Sequence, residues 1–135
     1  MNVKRYITAS LAVFVAALVL DFVIHGVILR GAYEATKSVW RPDMESKMWI
    51  FWLVNFIAAF PFTYIFVRGY EGKGIPEGVR FGAIIGVYVS VPMAYGMYVM
   101  LAVPYSLALQ WFLYGMIETI LLGIVAALVY RPKAA

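Results

Sequence analysis

The sequence predicts an all-α membrane protein, a four-transmembrane-helix bundle in up-down-up-down order with both termini cytoplasmic. Hydrophobic residues make up 64% of the 135 residues and charged residues only 13%, against about half and about a quarter in soluble domains. Four apolar segments are each long enough to cross a hydrocarbon core about 30 Å thick. Because lipid offers no hydrogen-bond partner to backbone amides, apolar segments of this length cross a bilayer as helices.

The predicted spans belong to one transmembrane domain, residues 1–135, since a chain this short has room for no more. The first apolar segment runs to about 23 residues, longer than the core of a signal peptide, and is expected to remain as an uncleaved span. Pro61 and Pro92 each remove a backbone hydrogen bond and are expected to kink spans two and three. The spans are predicted at 7–29, 48–67, 81–103 and 107–129.

The distribution of cations predicts the orientation. Seven Lys or Arg lie on the side of the termini and the second loop, and four lie in the first loop, which favours cytoplasmic termini. The first loop, Gly31–Lys47, is expected to be solvated, with an amphipathic cap on the bundle as the alternative. The Gly-rich second loop lacks a phosphate-binding pattern and is expected to be a flexible turn. The seven cations are Lys4, Arg5, Arg68, Lys73, Arg80, Arg131 and Lys133, and the four are Arg30, Lys37, Arg41 and Lys47.

Small residues recur every fourth position in spans three and four, and such stripes let helix backbones approach closely in lipid. The sequence therefore predicts a tightly packed hairpin of these two spans, with a contact to a second copy of the chain as the alternative. The stripes are Gly82, Gly86, Ser90 and Ala94 in span three, and Gly115, Thr119, Gly123 and Ala127 in span four.

Several classes of function are excluded or disfavoured by composition. The absence of cysteine excludes disulfides, thiolate metal sites and cysteine nucleophiles. The net charge of +4 comes from loops and tails and does not indicate nucleic-acid binding. No Ser-His-Asp arrangement, zinc-protease motif or nucleotide motif is present, so no catalytic residue is nominated and an enzyme is not favoured.

A constellation of polar residues within the spans is the candidate site. A charge at mid-bilayer costs at least about 2.5–3.5 kcal/mol, so it rarely persists without a partner or a task. Asp21 and His25 are four residues apart and share a helix face. With Glu118 near the midplane, the polar groups of all four spans are expected at similar depth, forming a pocket towards the outer side. The predicted ligand-binding residues are Asp21, His25, Asn55, Tyr95, Tyr114 and Glu118.

Three interpretations of this constellation remain open. It is a structural hydrogen-bond network, a site that binds or moves a proton, cation or small ligand, or a metal site. Asp21, His25 and Glu118 offer nitrogen and oxygen ligands suited to zinc, iron or manganese. The leading hypothesis is a small membrane protein with an outward-facing ligand or ion site. The alternative is a non-catalytic accessory or scaffold subunit, and the expected partners are the lipid bilayer and a homo-oligomer or larger membrane complex.

Short strings along nearly the whole chain form a recognisable pattern. They are Asp21-Phe22-Val23-Ile24-His25-Gly26, Tyr33, Trp40-Arg41-Pro42, Phe81-Gly82-x3-Gly86, Ile117-Glu118-x4-Gly123 and Tyr130-Arg131. The pattern resembles a group of small bacterial four-span membrane proteins, and the resemblance implies the bacterial cytoplasmic (inner) membrane but no mechanism. The chain is also similar to the small multidrug transporters in length, span number and a membrane glutamate. In those proteins the essential glutamate lies in span one, whereas here span one holds Asp21 and the glutamate is Glu118 in span four.

Overall fold

A computed structural model of the chain describes residues 1–131, which are largely helical and contain no strand. Lys133, one of the cations used to predict the orientation, lies outside these residues. Four helices are long and apolar enough to cross a membrane, with mean hydropathies of 1.6 to 2.5, which confirms that part of the prediction. The main elements are α1 (Val3–Asp21), a π-helical segment (Phe22–Ile28), α2 (Arg30–Ala35), α3 (Met48–Arg68), α4 (Ile75–Met100) and α5 (Tyr105–Val129).

The third long helix, α4, differs most from its predicted bounds. It begins at Ile75 rather than residue 81, because Gly74 takes a positive φ of 71° just before it and Pro76 occupies its first turn. It ends at Met100 rather than residue 103, where Leu101 becomes extended. Pro104 disfavours helical backbone in the residue before it, so the helix cannot continue to Val103.

The first long helix changes character in its last quarter. After Asp21 the backbone widens into the π-helical segment, in which the Leu29 N–H donates to the Ile24 carbonyl at 2.8 Å, five residues back. π-helical turns are rare and are found often at functional sites. Leu29 is buried and turns the chain into α2. The segment holds His25, so the candidate site lies where the helix geometry departs from α.

The small-residue stripes of α4 and α5 face each other. A methyl group at Gly78 would lie 2.5 Å from the Gly123 carbonyl oxygen, and one at Gly82 would lie 2.5 Å from the Ile120 Cα atom. A methyl group at Gly123 would meet the Gly78 carbonyl oxygen even more closely. The stripes therefore pack within one chain, as the predicted hairpin requires, and the two backbones are nearly in contact.

Helix α1 packs against both α3 and α5. Small and medium residues of α1, among them Ala9, Val13 and Ala17, are buried in the apolar core that these helices share. Polar contacts join the same elements near the chain termini, where the Tyr6 hydroxyl donates to the Phe60 carbonyl at 3.1 Å and the Asn2 N–H donates to the Tyr130 hydroxyl at 3.3 Å. One end of the bundle therefore holds both the N-terminal residues and the end of α5.

The first loop is not simply solvated, so the favoured expectation is wrong for its first half. Thr36 is buried, and its hydroxyl accepts a hydrogen bond from the Trp40 indole N–H at 3.0 Å. The Trp40 ring also meets that of Trp111 on α5 edge to face, with centroids 6.1 Å apart. These aromatic contacts fold the first half of the loop onto the bundle. The residues from Arg41 to Ser46 are exposed.

Alanine substitutions test the contact between α4 and α5. Gly82→Ala and Gly123→Ala are expected to lower the free energy of unfolding by about 1–3 kcal/mol, because the new methyl group meets rigid backbone. Gly96→Ala is the matched control on α4, since no atom lies within 4 Å of a methyl group there. The control should be neutral or stabilise by up to about 1 kcal/mol. Unfolding of the three variants in detergent measures the difference, and equal stability would contradict the backbone contact.

Candidate functional site

Three half-buried ionisable side chains from α1, the π-helical segment and α5 meet in the bundle. Asp21 ends α1, His25 follows on the π-helical segment, and Glu118 comes from the middle of α5. One ligand atom of each lies within 4.8 Å of those of the other two. The His25 Nε2 atom is 3.9 Å from Asp21 Oδ1. The contact of α1 with α5 therefore assembles the three side chains that were predicted as metal ligands, here called the acid–histidine cluster.

Asn55 connects this cluster to α3. Its side-chain N–H donates to Asp21 Oδ2 at 3.1 Å and also to the Phe51 carbonyl at 3.2 Å. Every residue from Met48 to Ala58 is exposed except Asn55, which is half-buried. The bond to Asp21 is therefore the polar tie between the first half of α3 and the rest of the bundle. It also leaves Asp21 only 13% exposed.

His25 is held on its other side by the first loop. Its Nδ1 atom lies 2.5 Å from the Tyr33 hydroxyl, and the two rings stack with centroids 5.9 Å apart. The Trp111 indole N–H donates to the same hydroxyl at 2.9 Å. Burial raises the pKa of the Tyr33 hydroxyl, the Trp111 hydrogen bond opposes this rise, and the nearby Asp21 charge adds to it. Tyr33 therefore remains a neutral O–H group that orients the imidazole.

The hydrogen-bond partners of these groups accommodate both tautomers of the imidazole. An indole N–H can only donate, so the Tyr33 oxygen accepts from Trp111, and its second lone pair and its own O–H are both available to His25 Nδ1. When the imidazole proton lies on Nε2, which faces Asp21, the Tyr33 O–H donates to Nδ1. If Nε2 instead binds a cation, the proton moves to Nδ1 and is donated to the Tyr33 oxygen, the usual arrangement beside a metal-bound imidazole. The same side chains serve both states.

The charge of the cluster is unbalanced. It holds two carboxyl groups and one imidazole, and within residues 1–131 neither Asp21 nor Glu118 forms an ion pair with a Lys or Arg. A buried negative charge without a counter-ion is costly in a medium of low dielectric constant. A bound cation or proton would relieve this cost. One nitrogen and two carboxylate oxygens are also a donor set that zinc, iron or manganese accepts.

Two predicted site residues lie outside this hydrogen-bonded set. The Tyr95 hydroxyl is paired with the Tyr105 hydroxyl at 3.3 Å, in the turn region between α4 and α5. Tyr114 packs against the apolar core around Ala94 and Trp111. Among the described residues neither tyrosine bonds to Asp21, His25 or Glu118. Depth along the helices therefore did not distinguish tyrosines that reach the cluster from those that do not.

Tyr33 and Trp111 were not among the predicted partners of His25. Tyr33 lies eight residues after His25, and it returns to the imidazole only because the π-helical segment and the turn at Leu29 redirect the chain. The one signal in the sequence was that aromatic residues lie near the end of span one, which holds His25. Aromatic residues at this depth are also typical of an interfacial belt, so the signal did not single out Tyr33 and Trp111.

The chain was compared with protein families, with curated proteins and with solved structures, and no match was found. Its function is therefore inferred from its own residues.

Removing the Tyr33 hydroxyl tests its role. Tyr33→Phe is expected to cost about 1–3 kcal/mol of stability, because it leaves both the His25 Nδ1 atom and the Trp111 N–H without a partner. Tyr105→Phe is the control, since its hydroxyl bond to Tyr95 is exposed. Unfolding in detergent measures the cost. The imidazole 15N spectrum, which reports a single histidine, should shift in Tyr33→Phe and not in Tyr105→Phe; no shift in either would contradict the pairing.

Proposed function

We propose that this chain is an integral membrane protein that binds a divalent metal cation through Asp21, His25 and Glu118. The observation that carries the proposal is the convergence of three ligand atoms within 4.8 Å, with no Lys or Arg to balance the carboxylates in the described part of the chain. The type of ligand atoms and the negative charge of the carboxylates both favour a cation. Direct measurement of metal binding is the decisive test.

The neighbours of the three side chains support this function. Metal ligands in proteins are usually oriented by further hydrogen bonds, and loss of these partners weakens binding. Tyr33 bonds to the ring of His25 and Asn55 bonds to the carboxylate of Asp21. The bound cation would supply positive charge between two carboxylates, and the residues of this chain would hold their lone pairs towards it. With one histidine and no cysteine, a thiolate site or a bis-histidine haem within one chain is excluded.

A second candidate function is that of a non-catalytic accessory or scaffold subunit. The bond from Asn55 to Asp21 favours it, because that bond joins the exposed first half of α3 to α1. In this case the polar groups set helix register and bind nothing. Buried polar networks can fulfil such a role without adding much stability.

The proposed location is the bacterial cytoplasmic membrane, with the helices in up-down-up-down order and both termini in the cytoplasm. The excess of Lys and Arg beside the termini and in the second loop supports this orientation. The acid–histidine cluster would then open towards the outer side. The proposed partners are the lipid bilayer and a second copy of the chain or a larger membrane complex.

Metal-dependent stability distinguishes the two functions. Zn²⁺ or Mn²⁺ at about 100 times its dissociation constant should stabilise the purified protein by about 2.7 kcal/mol. Asp21→Asn and Glu118→Gln should remain folded without metal and lose this stabilisation. Asp43→Asn removes an exposed carboxylate paired with Arg41 and should retain it. Wild-type protein that gains nothing from either metal, together with variants that unfold, would establish the structural role instead.

The cysteine-free chain allows a direct test of orientation. Single cysteines are introduced at Ser38 in the first loop and Gly69 in the second, both of which are exposed. In intact cells a membrane-impermeant maleimide should label Ser38→Cys, whereas Gly69→Cys should react only after the membrane is opened. The reverse pattern would place the termini outside.

A further inference from the structure

A cavity of about 290 Å³ lies between the end of α3 and the start of α4. It is at the end of the bundle that holds the N-terminal residues and the end of α5, because Tyr70 beside it meets the Tyr130 ring edge to face, with ring centroids 5.2 Å apart. One wall is apolar and the other is charged. The apolar wall includes Ile65, Phe81 and Ile84, and the charged wall consists of Glu71, Glu77 and Arg80.

The charged wall is rigidly built. Glu77 is only 3% exposed, and its two oxygens accept the backbone N–H groups of Glu71 at 2.6 Å and Lys73 at 2.8 Å. These bonds close the loop between α3 and α4, in which Gly72 and Gly74 take positive φ angles. The expected flexible turn is therefore a loop held by a buried carboxylate.

Charges of both signs face the cavity with unused hydrogen-bonding capacity. The Arg80 guanidinium donates to Glu71 at 2.6 Å, and the Lys73 ammonium lies 2.5 Å from the other Glu71 oxygen. These two hydrogen bonds hold the pKa of Glu71 below its usual value, so this carboxylate is charged at neutral pH. A guanidinium has five N–H donors and a carboxylate about four acceptor positions. Arg80 can therefore still donate to an anion while Glu71 accepts from a cation.

The apolar wall continues onto the surface that faces lipid. Ile65 and Ile84 are 53% and 63% exposed. Phe81 closes the space between them, with its ring 4.9 Å from that of Phe62 on α3. The cavity lies level with the end of α3 at Arg68 and the start of α4 at Ile75. In a spanning protein this is the level of the lipid headgroups, with hydrocarbon beside the apolar wall.

These features identify the ligand by its chemistry. A ligand that uses this remaining capacity carries an anion for Arg80 and a cation for Glu71, and it extends an apolar part along Ile84. The cavity is too small for a whole phospholipid, so only the headgroup can enter. We infer that the cavity binds a phospholipid with a phosphoethanolamine headgroup, the phosphate towards Arg80 and the ammonium towards Glu71. A choline headgroup lacks N–H donors, and a phosphoglycerol headgroup brings no cation for the carboxylate. This inference does not depend on metal binding.

The test uses the full chain, purified, stripped of lipid and placed in mixed micelles with phosphatidylethanolamine, phosphatidylcholine or phosphatidylglycerol. Native mass spectrometry counts the bound lipid and thermal unfolding measures its effect. Phosphatidylethanolamine should bind about threefold more tightly than phosphatidylcholine, the increment expected from a part-exposed ammonium–carboxylate pair. Equal binding of these two lipids, or preference for phosphatidylglycerol, would overturn the inference.

Variants locate the site. Glu71→Gln and Arg80→Gln should each abolish the preference for phosphatidylethanolamine, whereas Glu34→Gln should keep it. Glu34 is the control because its carboxylate also pairs with an arginine, Arg30 at 3.2 Å, on α2, which does not line the cavity. Ile84→Trp fills the mouth of the cavity without altering a charge and should also abolish binding, which keeps the test valid if the loop variants fold poorly. A preference that survives both Ile84→Trp and a folded Glu71→Gln would place the lipid elsewhere and overturn the inference.

Discussion

Helices α4 and α5 are the most extensively packed pair in the protein, and their contact determines which way the polar face of α5 points. Gly82 and Gly123 leave no room for a side chain between the backbones, so α5 can hardly rotate about its axis. Thr119 lies on the α4-facing stripe, and successive helical residues are about 100° apart. Glu118 is therefore turned away from α4 and meets Asp21 on α1. The candidate metal site therefore depends on the contact between α4 and α5, although none of its three side chains lies in that contact.

Each side chain of the acid–histidine cluster that has a hydrogen-bond partner is oriented from another element. Asp21 receives the Asn55 amide from α3, and His25 is fixed by Tyr33 from α2, which is itself held by Trp111 from α5. The contact between Tyr33 and His25 depends on the π-helical segment and on the packed first half of the first loop. The opposite end of the bundle follows the same rule, because a buried carboxylate there is satisfied by backbone N–H groups. Polar groups in this apolar protein are thus supported in networks rather than singly.

The helical class, the four apolar helices and the small-residue hairpin could be predicted from the amino-acid sequence alone. These follow from local quantities: the length and composition of a segment, and the period of 3.6 residues that brings every fourth residue to one face. Backbone hydrogen bonding in lipid leaves no alternative secondary structure for such segments. The pairing of Asp21 with His25 is local in the same sense. The approximate depth of Asn55 and Glu118 in the bilayer could also be predicted from the sequence, because depth depends only on the position of a residue along its span.

Which residues at equal depth contact one another depends on how the helices pack. Tyr95 and Glu118 were both predicted site residues, yet helix rotation and neighbour choice bring Glu118 to Asp21 and leave Tyr95 with Tyr105. The return of Tyr33 to His25 depends on a π-helical turn that has no sequence signal of its own. The earlier start of α4 depends likewise on loop geometry. The rotation of each helix, the choice of its neighbours and the geometry of the connecting turns depend on packing between segments that are distant in sequence. A residue pattern within one segment contains no information about that packing.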